Sequence, residues 1–111
     1  MIELNEKTQQ DFLNREWVQR LLKAGLDMSD AKYCIVYDGN GNDAVDLIYN
    51  WQLSEYLPTY TVSELLCKLR NRYGMYTIFN CYRNLDPDNT PIIESLAFIL
   101  LQDCKKDTNN G

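Results

Sequence analysis

Apolar residues recur at helical spacing near the start of the chain. Leu13, Trp17, Leu21 and Ala24 follow one another at steps of three and four, and Val18 and Leu22 widen the same face. This predicts an amphipathic helix from Thr8 to Ala24. Gly25 follows where a left-handed stop needs no Cβ, and Lys23 suits the negative end of the helix dipole. The period then changes to two. Lys32–Tyr37 is rich in aromatic and β-branched residues, Asp38–Asp43 is turn chemistry, and Ala44–Tyr49 alternates with Val45, Leu47 and Tyr49 on one side. Two such runs around a Gly/Asn loop predict an antiparallel hairpin.

Asn50–Tyr60 reads as a connection, because Pro58 would break a helix and biases Leu57 towards extended backbone. Thr61-Val-Ser-Glu64 has the spacing of a capping box. The helix it opens runs through Leu65, Leu66 and Leu69 to about Tyr73, and Gly74 ends it. Met75–Tyr82 predicts a third strand. Asp86–Asn89 is a turn with proline in its favoured second position. Thr90 as N-cap and Pro91 as first helical residue then open a last helix to about Cys104. Ile92, Leu96, Ile99 and Leu100 mark its core face; a strand over Ser95–Leu101 is the alternative, disfavoured by length and by the start signals. The order α-β-β-α-β-α defines an α+β fold, a three-stranded antiparallel sheet covered by helices. One domain spans 1–106, and 107–111 reads as a disordered polar tail.

Charge and composition narrow the chemistry. The net charge is −5, from 16 acidic and 11 basic residues, and the basic residues are scattered, which makes nucleic acid or an anionic membrane an unexpected partner. Lys68, Arg70 and Arg72 are the densest basic stretch and read as a solvated helix face. There is no histidine, which removes Ser–His and Cys–His pairs, a histidine general base and every histidine metal ligand. The four cysteines, Cys34, Cys67, Cys81 and Cys104, are singletons without the paired spacing of a zinc site. Cys34 and Cys81 fall in predicted strands, where buried thiols are common, whereas Cys67 points away from the apolar face of its helix and is expected at the surface. Met1–Lys7 is polar with no signal-peptide pattern, and the longest apolar run, Leu96–Leu101, is too short for a membrane span. The expected location is the cytoplasm, with reduced thiols.

Two loops invite a functional reading and lose it on inspection. Asp38, Asn40 and Asn42 match the first, third and fifth ligand positions of a calcium loop. Asp43 then stands where glycine is required, and Tyr49 where the bidentate glutamate belongs. A plain turn with Gly39 or Gly41 at positive φ is expected, with no calcium effect. Asp43 with Asp46, and Asp86 with Asp88, sit in or beside turns and read as solvated carboxylates rather than an acid–base pair. No metal or cofactor is expected.

The aromatic residues are more suggestive. Tyr56 and Tyr60 flank Pro58 close to Trp51; they either close one end of the core or face a partner. On the last helix Phe98 falls beyond a wide apolar arc, on the side shared by Glu94, Ser95 and Gln102. A helix so apolar is either central in the fold or pressed against a second chain. The candidate interaction surface is therefore Phe98, Glu94 and Leu101, with Trp51, Tyr56 and Tyr60.

The segments Leu22-Lys-Ala-Gly-Leu-Asp-Met28, Tyr60-Thr-Val-Ser-Glu-Leu-Leu66 and Pro91-Ile-Ile-Glu-Ser-Leu-Ala97 resemble small uncharacterised proteins of gut Bacteroidetes and their phages or mobile elements. The resemblance implies a setting, that of a phage or mobile-element accessory protein, and no activity or site. The leading expectation is a non-enzymatic protein-interaction module that binds a protein partner or itself. The alternative is an acidic decoy that mimics nucleic acid and inhibits a host enzyme. A carboxylate-using hydrolase or transferase comes third, and would need a pocket holding a buried Asp or Glu beside a Tyr or Lys.

Overall fold

The alternation over residues 33–47 becomes the two longest strands of a sheet. The computed structural model describes residues 2–5, 8–51 and 56–110. In chain order its elements are β1 (Ile2–Glu3), α1 (Arg15–Lys23), β2 (Tyr33–Tyr37), β3 (Asp43–Leu47), a 3-10 turn (Ile48–Asn50), β4 (Leu57–Thr59), α2 (Val62–Tyr73), α3 (Met75–Arg83) and α4 (Ile92–Asn110). Residues 52–55 of the expected connection and Gly111 of the expected tail lie outside the described residues.

β2 and β3 pair antiparallel, from Tyr33 opposite Leu47 to Tyr37 opposite Asp43. The loop between them closes itself. One oxygen of Asp38 accepts the N–H groups of Asn40 at 2.7 Å and Asn42 at 3.2 Å, while Gly39 and Gly41 take φ of 94° and 86°. The carboxylate that a calcium loop would aim at an ion is thus turned back on the backbone. Tyr49 does not continue the alternation: the chain winds into the 3-10 turn and leaves it 79% exposed.

The sheet has four strands in the order β1-β3-β2-β4, every pair antiparallel. This corrects the expected three-stranded sheet. β4 lies at one edge with Pro58 opposite Cys34, and an edge is where a strand tolerates the missing donor. Met75–Tyr82, read as the third strand, is helical.

α1 begins at Arg15, well after the predicted Thr8. Asn14 caps it, its side chain accepting from the N–H of Trp17 at 2.9 Å. Phe12 and Leu13 leave the helix for the sheet side: Phe12 bridges Thr61, the Leu13 N–H donates to the Tyr60 carbonyl at 3.0 Å, and the Thr59 hydroxyl donates to the Leu13 carbonyl at 2.8 Å. The C-terminus ends as predicted, with Gly25 at φ 93° and Leu26 N–H returning to the Leu21 carbonyl at 3.0 Å. The capping box at α2 has both hydrogen bonds, Glu64 N–H to the Thr61 hydroxyl and Thr61 N–H to the Glu64 carboxylate. α4 starts one residue after Pro91, whose carbonyl receives Glu94 and Ser95, and runs to Asn110, beyond the predicted end at Cys104.

One core joins the helices to a face of the sheet: Leu13, Val18, Leu21, Ile35, Leu65, Leu69, Leu96 and Leu100 are all buried within it. α4 packs against α1, α2 and α3, so its wide apolar arc reflects a central position in the fold. On the opposite face of the sheet Cys34, Val36 and Ala44 are covered by Ile48, Trp51 and Tyr56. No described helix is long and apolar enough to cross a membrane.

Candidate binding groove along the last helix

α4 buries Ile93, Leu96, Ala97, Leu100 and Leu101 and turns Glu94, Phe98 and Gln102 outward at steps of four. The outward face floors three clefts that share walls. The first, of about 350 Å³, lies against the segment before α1 and ends at Trp17 and Glu94. The second, of about 200 Å³, shares those two residues and adds Ser95, Leu85 and Phe98. The third, of about 330 Å³, shares Leu85 and Phe98 and continues past Ile78 and Cys81 of α3 to Asp103. Together they form a groove running about 15 Å along α4 from Ile93 to Asp103, at 1.5 Å per helical residue.

Its walls are held by identifiable contacts. The Arg20 guanidinium lies over the Trp17 ring, 4.2 Å from its centroid, and fixes that side chain at the groove edge. At the far end Asp103 accepts from both Arg72 and the Tyr73 hydroxyl. Phe98, 38% exposed, stands between the second and third clefts. Beside it, Ser95 is buried, and among the described residues its hydroxyl has no hydrogen-bond partner. A buried hydroxyl left unpaired costs about 1–3 kcal/mol. Ser95→Ala is therefore expected to raise the stability of the isolated protein by about 1 kcal/mol, helped by alanine's better helix propensity. Chemical denaturation of the two proteins measures this; a loss of stability would mean that the hydroxyl is satisfied.

The sequence-predicted surface divides on folding. Phe98 and Glu94 lie together in the groove. Leu101 and Tyr60 are 2% and 1% exposed and belong to the core, so neither is a contact residue. Leu101 falls on the inward side of α4, and Tyr60 is drawn inside where its carbonyl pairs with Leu13. Trp51 and Tyr56 are half-buried on the far face of the sheet. There the Trp51 indole N–H donates to Asp46 at 2.8 Å. Cys81, expected to be buried in a strand, is exposed on α3 because that segment is helical, and Cys67 is exposed on α2. Trp17, Leu85 and Asp103 gave no surface signal: Trp17 shares the spacing of the core residues, and only the docking of α3 turns the other two into walls.

One cluster brings together the residue types that acid–base chemistry would need. The Tyr60 hydroxyl donates to Asp30, Lys68 pairs with the other Asp30 oxygen at 2.8 Å, and the Lys68 ammonium lies over the Tyr60 ring. The electrostatics run against such use. Burial, and then the adjoining Asp30 carboxylate, push the Tyr60 phenol far up. Burial works to raise Asp30, but hydrogen bonds from Lys68 and Tyr60 outweigh it and hold the carboxyl below its usual range. The phenol keeps its proton and the carboxylate stays charged, so neither is poised for proton transfer.

The cluster carries a pH signature. Tyr60 holds its proton more tightly folded than unfolded, so its contribution is complete below the unfolded pKa of about 10 and declines as pH rises above it. Relative to Tyr60→Phe, the native protein is expected to lose about 1.4 kcal/mol of stability per pH unit above about pH 10. Urea unfolding of both proteins across that range measures the slope; a difference independent of pH would contradict this assignment.

Arg15, Asp43 and Cys34 are tied to the scaffold. Arg15 holds Asp43 at 2.9 Å. Cys34 is buried, which pushes its thiol up and keeps it neutral. No group of three or more metal-binding side chains occurs among the described residues. Comparison of the chain with protein-family models, curated proteins and solved structures gives no match.

Proposed function

We propose that this chain is a non-enzymatic interaction module that holds a segment of a partner protein in the groove along α4. The observation that carries the reading is Phe98, a large apolar side chain left at the junction of two clefts, beside the unpaired Ser95 hydroxyl. Isolated exposed apolar residues are ordinary on a protein surface. One that joins two mainly apolar clefts, next to a buried polar group without a partner, is the composition of a recognition site. A groove of about 15 Å matches four or five extended residues at about 3.3 Å each. The role of an accessory protein of a phage or mobile element, implied by the resemblance above, belongs to the same proposal.

Two observations favour this over the alternatives. Asp30, Asp43 and Asp103 are neutralised within the chain by Lys68, Arg15 and Arg72, which weakens the case for an acidic decoy. The Asp30–Tyr60–Lys68 cluster has its proton affinities set against acid–base catalysis.

Photo-crosslinking tests the reading. A benzoylphenylalanine placed at Phe98 preserves an aromatic ring there, and the same group at the exposed Gln19 of α1 serves as control. In lysate of the source organism, position 98 is expected to capture one peptide segment that Gln19 does not. A synthetic copy of that segment should bind the native protein and bind Phe98→Ala at least tenfold more weakly. Equal capture at both positions, or indifference of the peptide to Phe98→Ala, would end the proposal.

A further inference from the structure

α3 presents a second surface, on the side away from the groove. Five of its nine residues are large and apolar or aromatic (Met75, Tyr76, Ile78, Phe79, Tyr82), yet Ile78 alone is buried. Tyr76 is 82% exposed, Phe79 61% and Met75 43%. Tyr76, Phe79 and Arg83 fall at i, i+3 and i+7 and so share one helix face, whereas the groove is lined by Thr77, Ile78 and Cys81. Exposed aromatic rings side by side on a short helix are not required for packing, because Ile78 already provides the contact with the core.

The charge of the sequence segment that holds α3 differs from the rest of the chain. Between Glu64 and Asp86 stand Lys68, Arg70, Arg72 and Arg83 and no carboxylate, leaving seven of the 11 basic residues against all 16 acidic ones elsewhere. Lys68 and Arg72 are engaged by Asp30 and Asp103. Arg70 and Arg83 are exposed and make no ion pair among the described residues. An arginine beside exposed Tyr and Phe is a typical composition for a binding hot spot.

We infer that the outward face of α3, built on Tyr76, Phe79 and Arg83, docks an acidic, apolar segment of another protein. The apolar part of such a segment covers the two rings and a carboxylate of it meets Arg83. Single-stranded nucleic acid also stacks on aromatic rings, but two uncommitted arginines are too few to track a phosphate backbone, and the surplus of carboxylates elsewhere repels a polyanion. A second copy of this chain is disfavoured because a symmetric contact sets the same patch against itself, and residues 65–85 hold no carboxylate to meet an arginine.

Selection from a random peptide library on the immobilised full chain tests this. The expected result is enrichment of peptides in which Asp or Glu flanks Leu, Ile or Phe. The best of them should lose about tenfold in affinity on Arg83→Glu, comparably on Phe79→Ser, and weaken as salt rises. Because the outward face of α3 and the groove are separate surfaces, Phe98→Ala should leave that affinity unchanged, which distinguishes failure here from failure of the groove reading. The inference is overturned by no enrichment, by peptides without acidic bias, or by binding that ignores Phe79→Ser. It is equally overturned if a twenty-residue oligothymidylate binds in a Phe79-dependent way, or if sedimentation shows a dimer that Phe79→Ser dissociates. Both substitutions are at exposed positions, so thermal melting of each variant should match the native protein.

Discussion

Replacing Ile78 with alanine is expected to undock α3 while leaving the sheet folded. Ile78 is 4% exposed and is the one buried residue of its helix. The rest of α3 offers no second fully buried anchor, since Met75, Tyr76, Phe79 and Cys81 are exposed and Asn80 and Tyr82 are only half-buried. Truncating a buried isoleucine to alanine costs about 2–5 kcal/mol. Because α3 makes its main contacts with α2 and α4, that cost falls on the docking of the helix before it falls on the hairpin. Hydrogen exchange resolved by residue measures the difference. Amides of Met75–Arg83 should lose protection by a factor of about 30 or more, corresponding to at least 2 kcal/mol. Amides of β2 and β3 should retain theirs. A uniform fall across both regions would show that α3 is integral to the global fold. Undocking α3 also removes one wall of the third cleft, so a groove-bound segment should weaken in the same variant.

The second large effect is expected at Gly74, which ends α2 and begins α3. Its φ of 78° with ψ of 160° lies where a residue with a Cβ is strained by about 1–3 kcal/mol. A Cβ there would meet no other atom within 4 Å, so the penalty is in the backbone itself and can be relieved by changing the backbone. In Gly74→Ala the easiest relief is to close the kink into helical geometry, since alanine is the best helix former and glycine among the worst. α2 and α3 should then fuse into one helix and swing α3 off α4. Cys67 and Cys81 are exposed, one on each side of the kink, whereas Cys34 and Cys104 are buried. Spin labels on the two exposed thiols therefore report the geometry directly. A continuous helix separates their Cα atoms by about 21 Å, and a break in the helix at Gly74 shortens that span. An unchanged label distance in Gly74→Ala, accompanied by a loss of stability, would mean that packing of α3 outweighs the strain.

Phe98 shows how a site can be partly legible. The helical period of the sequence alone sets it beyond the apolar arc of α4, and it stands half-exposed where two clefts meet. The same period places Leu101 and Phe98 on different sides, but not which side finds a neighbour. That depends on α1, α2 and α3 packing around α4. Tyr60 is ambiguous for a similar reason. Beside Pro58 it has the setting of a loop aromatic, and it is buried because Phe12 and Leu13 leave the helical pattern to pair with residues 60 and 61.

What the sequence by itself determined are the features whose energy is realised within a few residues. Asp38 with Gly39 and Gly41 closes the hairpin loop, Thr61 with Glu64 caps α2, and Gly25 and Gly74 end their helices. Each depends on side chains or φ values within about five residues, so no distant partner can reverse it. Only the tertiary structure decided the conformation of Met75–Arg83, the start of α1, and the recruitment of Ile2–Glu3 and Leu57–Thr59 as sheet edges. The run Met75–Tyr82 is rich in β-favouring residues, but strand preference spans only about 1 kcal/mol and depends on what the side chains pack against. Burying Ile78 against the helical core is worth more than that. The local preference therefore yielded, and the aromatic residues it had marked for a strand became the exposed face of a helix.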